Sequence, residues 1–88
     1  MTAEEKIQAA GFEDVTLLKN YSYDDALVGV TEDGRAVYDF SKMVAWLVKT
    51  EGFTALEAME WIEYNTIRAL PYMGDEAPVI MYPLPDDE

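Results

Sequence analysis

Neither cysteine nor histidine occurs anywhere in this chain, and only six lysines and arginines stand against eighteen acidic residues. Without cysteine there is no disulfide framework, no zinc–thiolate site and no thiol nucleophile. Without histidine the commonest general base and metal ligand is missing too. The shortage of positive charge leaves a formal net charge of −12. Such a surface repels phosphates, which argues against direct nucleic-acid binding and against adhesion to anionic membranes. No apolar run approaches the ~20 residues that a membrane-spanning helix needs. The N-terminus, Met1-Thr-Ala-Glu-Glu-Lys6, is acidic and amphipathic and does not read as a secretory signal. Together with the lack of cysteine, this fits a cytoplasmic protein.

What is present is apolar enough to fold. Half the residues are hydrophobic, with two Trp, six Tyr and three Phe, so the chain is not read as disordered despite its charge. Eighty-eight residues make one domain with one modest core. We assign residues 1–82 to that domain and 83–88 to an extended acidic tail.

The pattern predicts an α+β fold with a small antiparallel or mixed sheet packed on helices. A short helix over 3–10 follows from Thr2 as an N-cap and Gly11 as a stop. Val15-Thr-Leu-Leu-Lys19 is rich in strand-formers and predicts a strand over 15–19. Asn20 to Asp25 reads as a polar loop carrying Tyr21 and Tyr23. Asp33-Gly34 between two β-rich runs predicts a hairpin of 26–31 and 35–39. We prefer a two-residue turn that sets Glu32 against Arg35, Val30 against Val37 and Gly29 against Tyr38. The alternative, a three-residue Glu32-Asp33-Gly34 loop with a bulge, shifts each pair.

Asp39 or Ser41 caps a helix over 41–51, whose run Met43-Val-Ala-Trp-Leu-Val48 makes it the core pillar. A second helix over 54–70 opens with a Thr54–Glu57 capping box and stops at Pro71. At 100° per residue its core face is Ala55, Met59, Ile62, Thr66, Ala69 and Leu70. A last strand over 78–82 lies between prolines, which place it at a sheet edge or strand start.

The chemistry-bearing groups are few. The acidic groups Asp24-Asp25, Glu32-Asp33, Asp75-Glu76 and Asp86-Asp87-Glu88 match no calcium-loop spacing and read as solvated charge at turns and ends, so no metal and no cofactor is expected. With no histidine, cysteine or Gly-rich phosphate loop, we expect no enzyme. The two helices about Gly52 resemble a helix-turn-helix, but the second would bring Glu57, Glu60 and Glu63 into a phosphate-lined groove. On that helix Trp61, Tyr64 and Arg68 are of the types enriched in binding hot spots, and Tyr64 and Arg68 are spaced to stack. Glu57, Glu60 and Glu63 place carboxylates ~5–6 Å apart, the scale of a nucleic-acid backbone's phosphates. The plainer readings are a solvated acidic edge and an aromatic face covered by the rest of the domain.

Trp61-Ile-Glu-Tyr-Asn-Thr-Ile-Arg-Ala-Leu-Pro-Tyr-Met-Gly74, with Thr31-Glu-Asp-Gly-Arg-Ala-Val-Tyr38 and Ala77-Pro-Val-Ile-Met-Tyr82, resembles small acidic proteins of bacterial phages and mobile elements. The likeness spans roughly residues 26–82 and implies no activity or residue role. In size and acidity the chain is also similar to anti-CRISPR and anti-restriction DNA mimics. The expectation is a non-enzymatic inhibitor that binds a basic, nucleic-acid-binding protein surface through Glu57, Glu60, Trp61, Glu63, Tyr64 and Arg68. The alternatives are a homodimeric structural or accessory module and, less in keeping with the charge, a helix-turn-helix DNA binder.

Overall fold

In the computed structural model, which describes residues 1–85, three capping side chains set where the helices begin. Thr2 and Glu5 form a full capping box ahead of α1 (Ala3–Ala9), with bonds of 3.1 and 2.8 Å. Asp39, nearly buried, accepts from the Lys42 amide at 3.1 Å and starts α2 (Phe40–Glu51). Thr54 and Glu57 repeat the capping box for α3 (Ala55–Trp61) at 3.1 and 2.9 Å. Each such cap contributes about 1 kcal/mol by satisfying an amide that has no partner inside its helix. Gly52 ends α2 in the left-handed region, at φ 74°, and only Phe53 and Thr54 separate it from α3.

The sheet has three strands: β1 (Leu27–Val30), β2 (Ala36–Asp39) and β3 (Val79–Met81). Its order is β1-β2-β3, with β1 antiparallel and β3 parallel to the central strand. The parallel pair requires a long crossover, which α2, α3 and the turns after them provide. The sheet is therefore mixed, and β3 lies at its edge, as the flanking prolines predicted.

The hairpin register corrects the two-residue turn. Val30 faces Ala36, Gly29 faces Val37 and Leu27 faces Tyr38, with Val28 as an extra, exposed residue between them. The turn is the three-residue loop Glu32-Asp33-Gly34, closed by Thr31 N donating to Arg35 O at 2.7 Å. Thr31 decides this. Its carbonyl accepts from Gly34 N (2.9 Å), and its hydroxyl accepts from Arg35 N (2.9 Å) and contacts Asp33. Gly34 then takes φ 86°, the left-handed bulge position that glycine occupies without cost. Arg35 turns toward β3, its Nε donating to the Ala77 carbonyl at 2.8 Å rather than facing Glu32 across a two-residue turn.

Residues 15–19 form no strand, contrary to the expectation from their composition. Val15, Leu17 and Leu18 are half-buried against the core, and the Leu18 amide donates to the Tyr38 hydroxyl at 3.2 Å, so the segment is held by side chains. The loop after it is not polar in its packing either. Tyr23 is fully buried, and Tyr21 and Tyr23 join Tyr38, Trp46 and Trp61 in one aromatic cluster with ring centroids 4.9–6.3 Å apart. That cluster ties the loop to β2, α2 and α3. Met43 and Leu47 of α2 are fully buried beside it, each contributing about 1.5–3 kcal/mol. α1 leans on the body through Ile7 and through Lys6, whose ammonium donates to the Asp24 and Leu27 carbonyls at 2.6 and 3.1 Å.

The helix expected over 54–70 changes pitch partway. α3 ends at Trp61, Ile62–Thr66 is π-helical, and Ile67–Glu76 continues as 3-10 turns interrupted at Gly74. Pro71 does not stop it. A 3-10 turn tolerates the missing amide at this exposed position, and the break falls at Gly74, φ 83°. Of the expected core face, Ile62 and Thr66 are buried as predicted, and Ala58 takes the inward place in the regular turns of α3. Ala58, Ile62 and Thr66 are buried at intervals of four, whereas Ala55, Met59 and Ala69 are exposed and Leu70 is half-buried. Pro83 to Pro85 are exposed without regular structure, and the rest of the expected tail, 86–88, lies outside the described residues.

Candidate functional site

The outer face of α3 and of the π turn is built by what the inner face must bury. Ala58, Ile62 and Thr66 point inward, which leaves Glu57, Glu60, Glu63, Tyr64 and Arg68 exposed. Tyr64 is 66% exposed, and the Arg68 guanidinium lies 5.0 Å from its ring centroid, the predicted stack. Tyr64 is the wall between two shallow hollows. One, ≈ 460 Å³, is lined by Met59, Glu60, Glu63, Tyr64 and Arg68. The other, ≈ 550 Å³, is lined by Phe53, Glu57, Glu60, Trp61, Tyr64 and Asn65. All six residues singled out from the sequence therefore border one continuous patch.

They do not contribute equally. Trp61 is half-buried, with its ring 4.9 Å from that of Tyr21, so most of it serves the core and only part faces the hollow. Glu57 is exposed but spends one carboxylate oxygen on the Thr54 amide. Glu60 and Glu63 make no such bond among the described residues and are the freer charges. Asn65 is fixed by a 3.1 Å bond from its amide nitrogen to the Trp61 carbonyl.

Two apolar residues join the patch that sequence reasoning does not place there. Leu56, 62% exposed, and Met59, 37% exposed, lie along the same stripe as Glu60, Glu63 and Tyr64. Regular helical spacing puts Met59 on the core face instead. The signal that identifies Leu56 is its i, i+4, i+8 relation to Glu60 and Tyr64. Apolar contacts between carboxylates suit a protein partner better than a solvated edge would. Among the described residues, no three acidic side chains come together to hold a metal ion. No helix is long and apolar enough to cross a membrane.

Comparison with protein-family models, with curated proteins and with solved structures gives no match for this chain. The functional reading accordingly rests on the residues themselves.

Proposed function

We propose that this is a non-enzymatic interaction protein whose α3 face docks on a basic, nucleic-acid-binding surface of a larger protein and blocks it. In size and acidity the chain is similar to the anti-CRISPR and anti-restriction DNA mimics, whose mode this reading adopts. The observation that carries the reading is the exposed stripe of Leu56, Met59, Glu60, Glu63 and Tyr64 on a chain of net charge −12. Glu60 and Glu63 supply phosphate-like charge, Glu57 adds to it, and Tyr64 braced by Arg68 gives a rigid aromatic contact. Leu56 and Met59 supply the apolar area that carboxylates lack. The same charge opposes the homodimer, because two copies of this face would meet with like charges opposed.

The test begins with capture of a partner from bacterial lysate on the immobilised protein. It then measures whether the protein displaces nucleic acid from that partner. The association rate should fall at least tenfold as salt rises from about 0.05 to 0.5 M, because the Debye length shrinks below the span of the patch. A rate independent of salt, or a partner that binds this protein and nucleic acid together, refutes mimicry. A concentration-dependent dimer in light scattering, lost in Tyr64→Glu, would favour the accessory module.

A further inference from the structure

The segment 15–19 has the composition of a strand and, among the described residues, almost no backbone partners. Asp14, at φ 59°, turns the chain into it, and residues 15–18 then run without a turn or bend. Among the described residues, the ten positions 13–22 make a single backbone hydrogen bond, from the Leu18 amide to the Tyr38 hydroxyl at 3.2 Å. A folded chain keeps so long a stretch without backbone partners only where solvent or another molecule can meet it. The segment is nevertheless fixed in place. Val15, Leu17 and Leu18 pack on the core, and residues 15–18 are all half-buried. Residues 14–19 form one wall of an open hollow of ≈ 760 Å³, whose lining also includes Glu4 and Asp24. Side chains of an extended segment alternate between two faces, so six consecutive residues border one hollow when the backbone edge itself is the wall.

We propose that this edge takes up an extended, basic segment of another protein as an added strand. An extended chain turns the N–H and C=O of alternate residues to the same side. The Leu18 amide points inward to buried Tyr38, so Val15 and Leu17 turn theirs outward, two donors and two acceptors for an antiparallel partner. Packing already holds the segment straight, which lowers the cost of ordering it on binding. Charge selects the occupant, because Glu4, Asp14 and Asp24 outnumber Lys19 on the lining. A second copy would bring the same carboxylates against them. The outer edges of the sheet are less open to such a strand. Lys6 Nζ takes the Leu27 carbonyl of β1 at 3.1 Å, and β3 is three residues long between Pro78 and Pro83. The hollow shares no lining residue with the α3 patch, so this surface stands independently of the function proposed for that face.

The probe is an acetylated and amidated pentapeptide of alternating arginine and valine, followed by amide NMR on the full chain at about 0.15 M salt. Saturable shifts should centre on Val15 and Leu17, and the amides of these two residues should gain protection from hydrogen exchange. N-methylation of the three central peptide residues keeps the charge but removes donors from both peptide edges, and it should weaken binding at least tenfold. The same peptide with glutamate in place of arginine should not bind. Asp14→Asn keeps a residue type that tolerates the left-handed backbone, and it should weaken the arginine peptide about two- to fivefold. Equal affinity for the N-methylated peptide would reduce the attraction to charge alone and overturn the proposal. So would the lack of saturable shifts at Val15 and Leu17, or shifts confined to Val28, to Val79–Met81 or to the α3 face. Shifts at Val15 and Leu17 on raising the protein concentration alone would make a second copy the occupant and overturn it too.

Discussion

The Arg68 guanidinium stands 5.0 Å from the centre of the Tyr64 ring, four residues away on an exposed face. Arg68 brings positive charge to a patch of acids, and stacking restrains the ring that it covers. At an exposed site the pair is worth about 0.5–1 kcal/mol. Arg68→Ala should therefore lower stability by no more than that in urea denaturation. Tyr64→Ala should be equally mild for folding yet weaken binding of the captured partner by tenfold or more, as a central aromatic anchor does.

The carboxylates divide by what they already do. Glu60→Gln with Glu63→Gln removes charge from a face where neither residue holds the fold, so stability should stay within about 0.5 kcal/mol while association slows and loses much of its salt dependence. Thr54→Ala acts oppositely. It breaks the capping box that engages Glu57 and should cost about 1 kcal/mol of stability with little change in association rate. Denaturation and stopped-flow association on the same variants separate the two roles.

Ala58 and Ala55 test the helix face directly. Ala58 is fully buried and Ala55 exposed, although equal steps of 100° put Ala55 on the core side. Ala58→Leu should overpack the core and cost about 1–3 kcal/mol, whereas Ala55→Leu should change stability by less than about 0.5 kcal/mol. Thermal denaturation of both variants reads the difference.

That helix also shows what is legible in the sequence. The caps at Thr2, Asp39 and Thr54 are readable because capping depends on residues three apart, and so is the Tyr64–Arg68 stack, four apart. The core face holds at Ile62 and Thr66 but fails at Ala55 and Met59, which lie in regular turns of α3 where the neighbouring elements decide which side is covered, and at Ala69, which follows a π turn that no local signal announces. Val15 to Lys19 has strand composition, but a strand exists only with a partner, and this segment pairs with none of the three strands, being held against the core by its side chains. Tyr21 and Tyr23, set among Asn20, Ser22 and Asp24, look like loop residues, and only the assembled fold shows the other rings and β2 that surround them.

The hairpin predicts opposite outcomes for two glycines. Gly34, at φ 86°, needs a left-handed backbone, so Gly34→Ala should cost about 1 kcal/mol. Gly29 has no such conformation, a Cβ there would meet nothing within 4 Å, and it faces Val37 rather than the ring of Tyr38. Gly29→Thr should therefore be neutral or stabilising by up to about 1 kcal/mol, since a strand glycine loses more backbone entropy on folding. A destabilised Gly29→Thr would favour the register that sets Gly29 against Tyr38, whereas Gly34→Ala is costly in either turn because both need a positive φ at that position.

Buried tyrosines make stability depend on alkaline pH with a definite sign. Burial raises Tyr23 to about 12 from an unfolded value of 10.0, a nearby Thr66 hydroxyl opposes this slightly, and Tyr21 adds to it. Tyr38 is also raised, chiefly by burial, against the Leu18 amide that donates to its oxygen and with a smaller contribution from Asp24. A raised folded pKa means that the native state holds the proton more tightly than the unfolded chain does. The stabilisation is complete below pH 10 and is lost as pH climbs toward 12, on the order of 2 kcal/mol for Tyr23. Urea denaturation should show stability flat between about pH 8 and 9 and falling above 10, with a shallower fall in Tyr23→Phe that leaves the Tyr38 share in place. A fall already under way at neutral pH would have to come from other groups, and an identical slope in Tyr23→Phe would show that this hydroxyl does not ionise with unfolding.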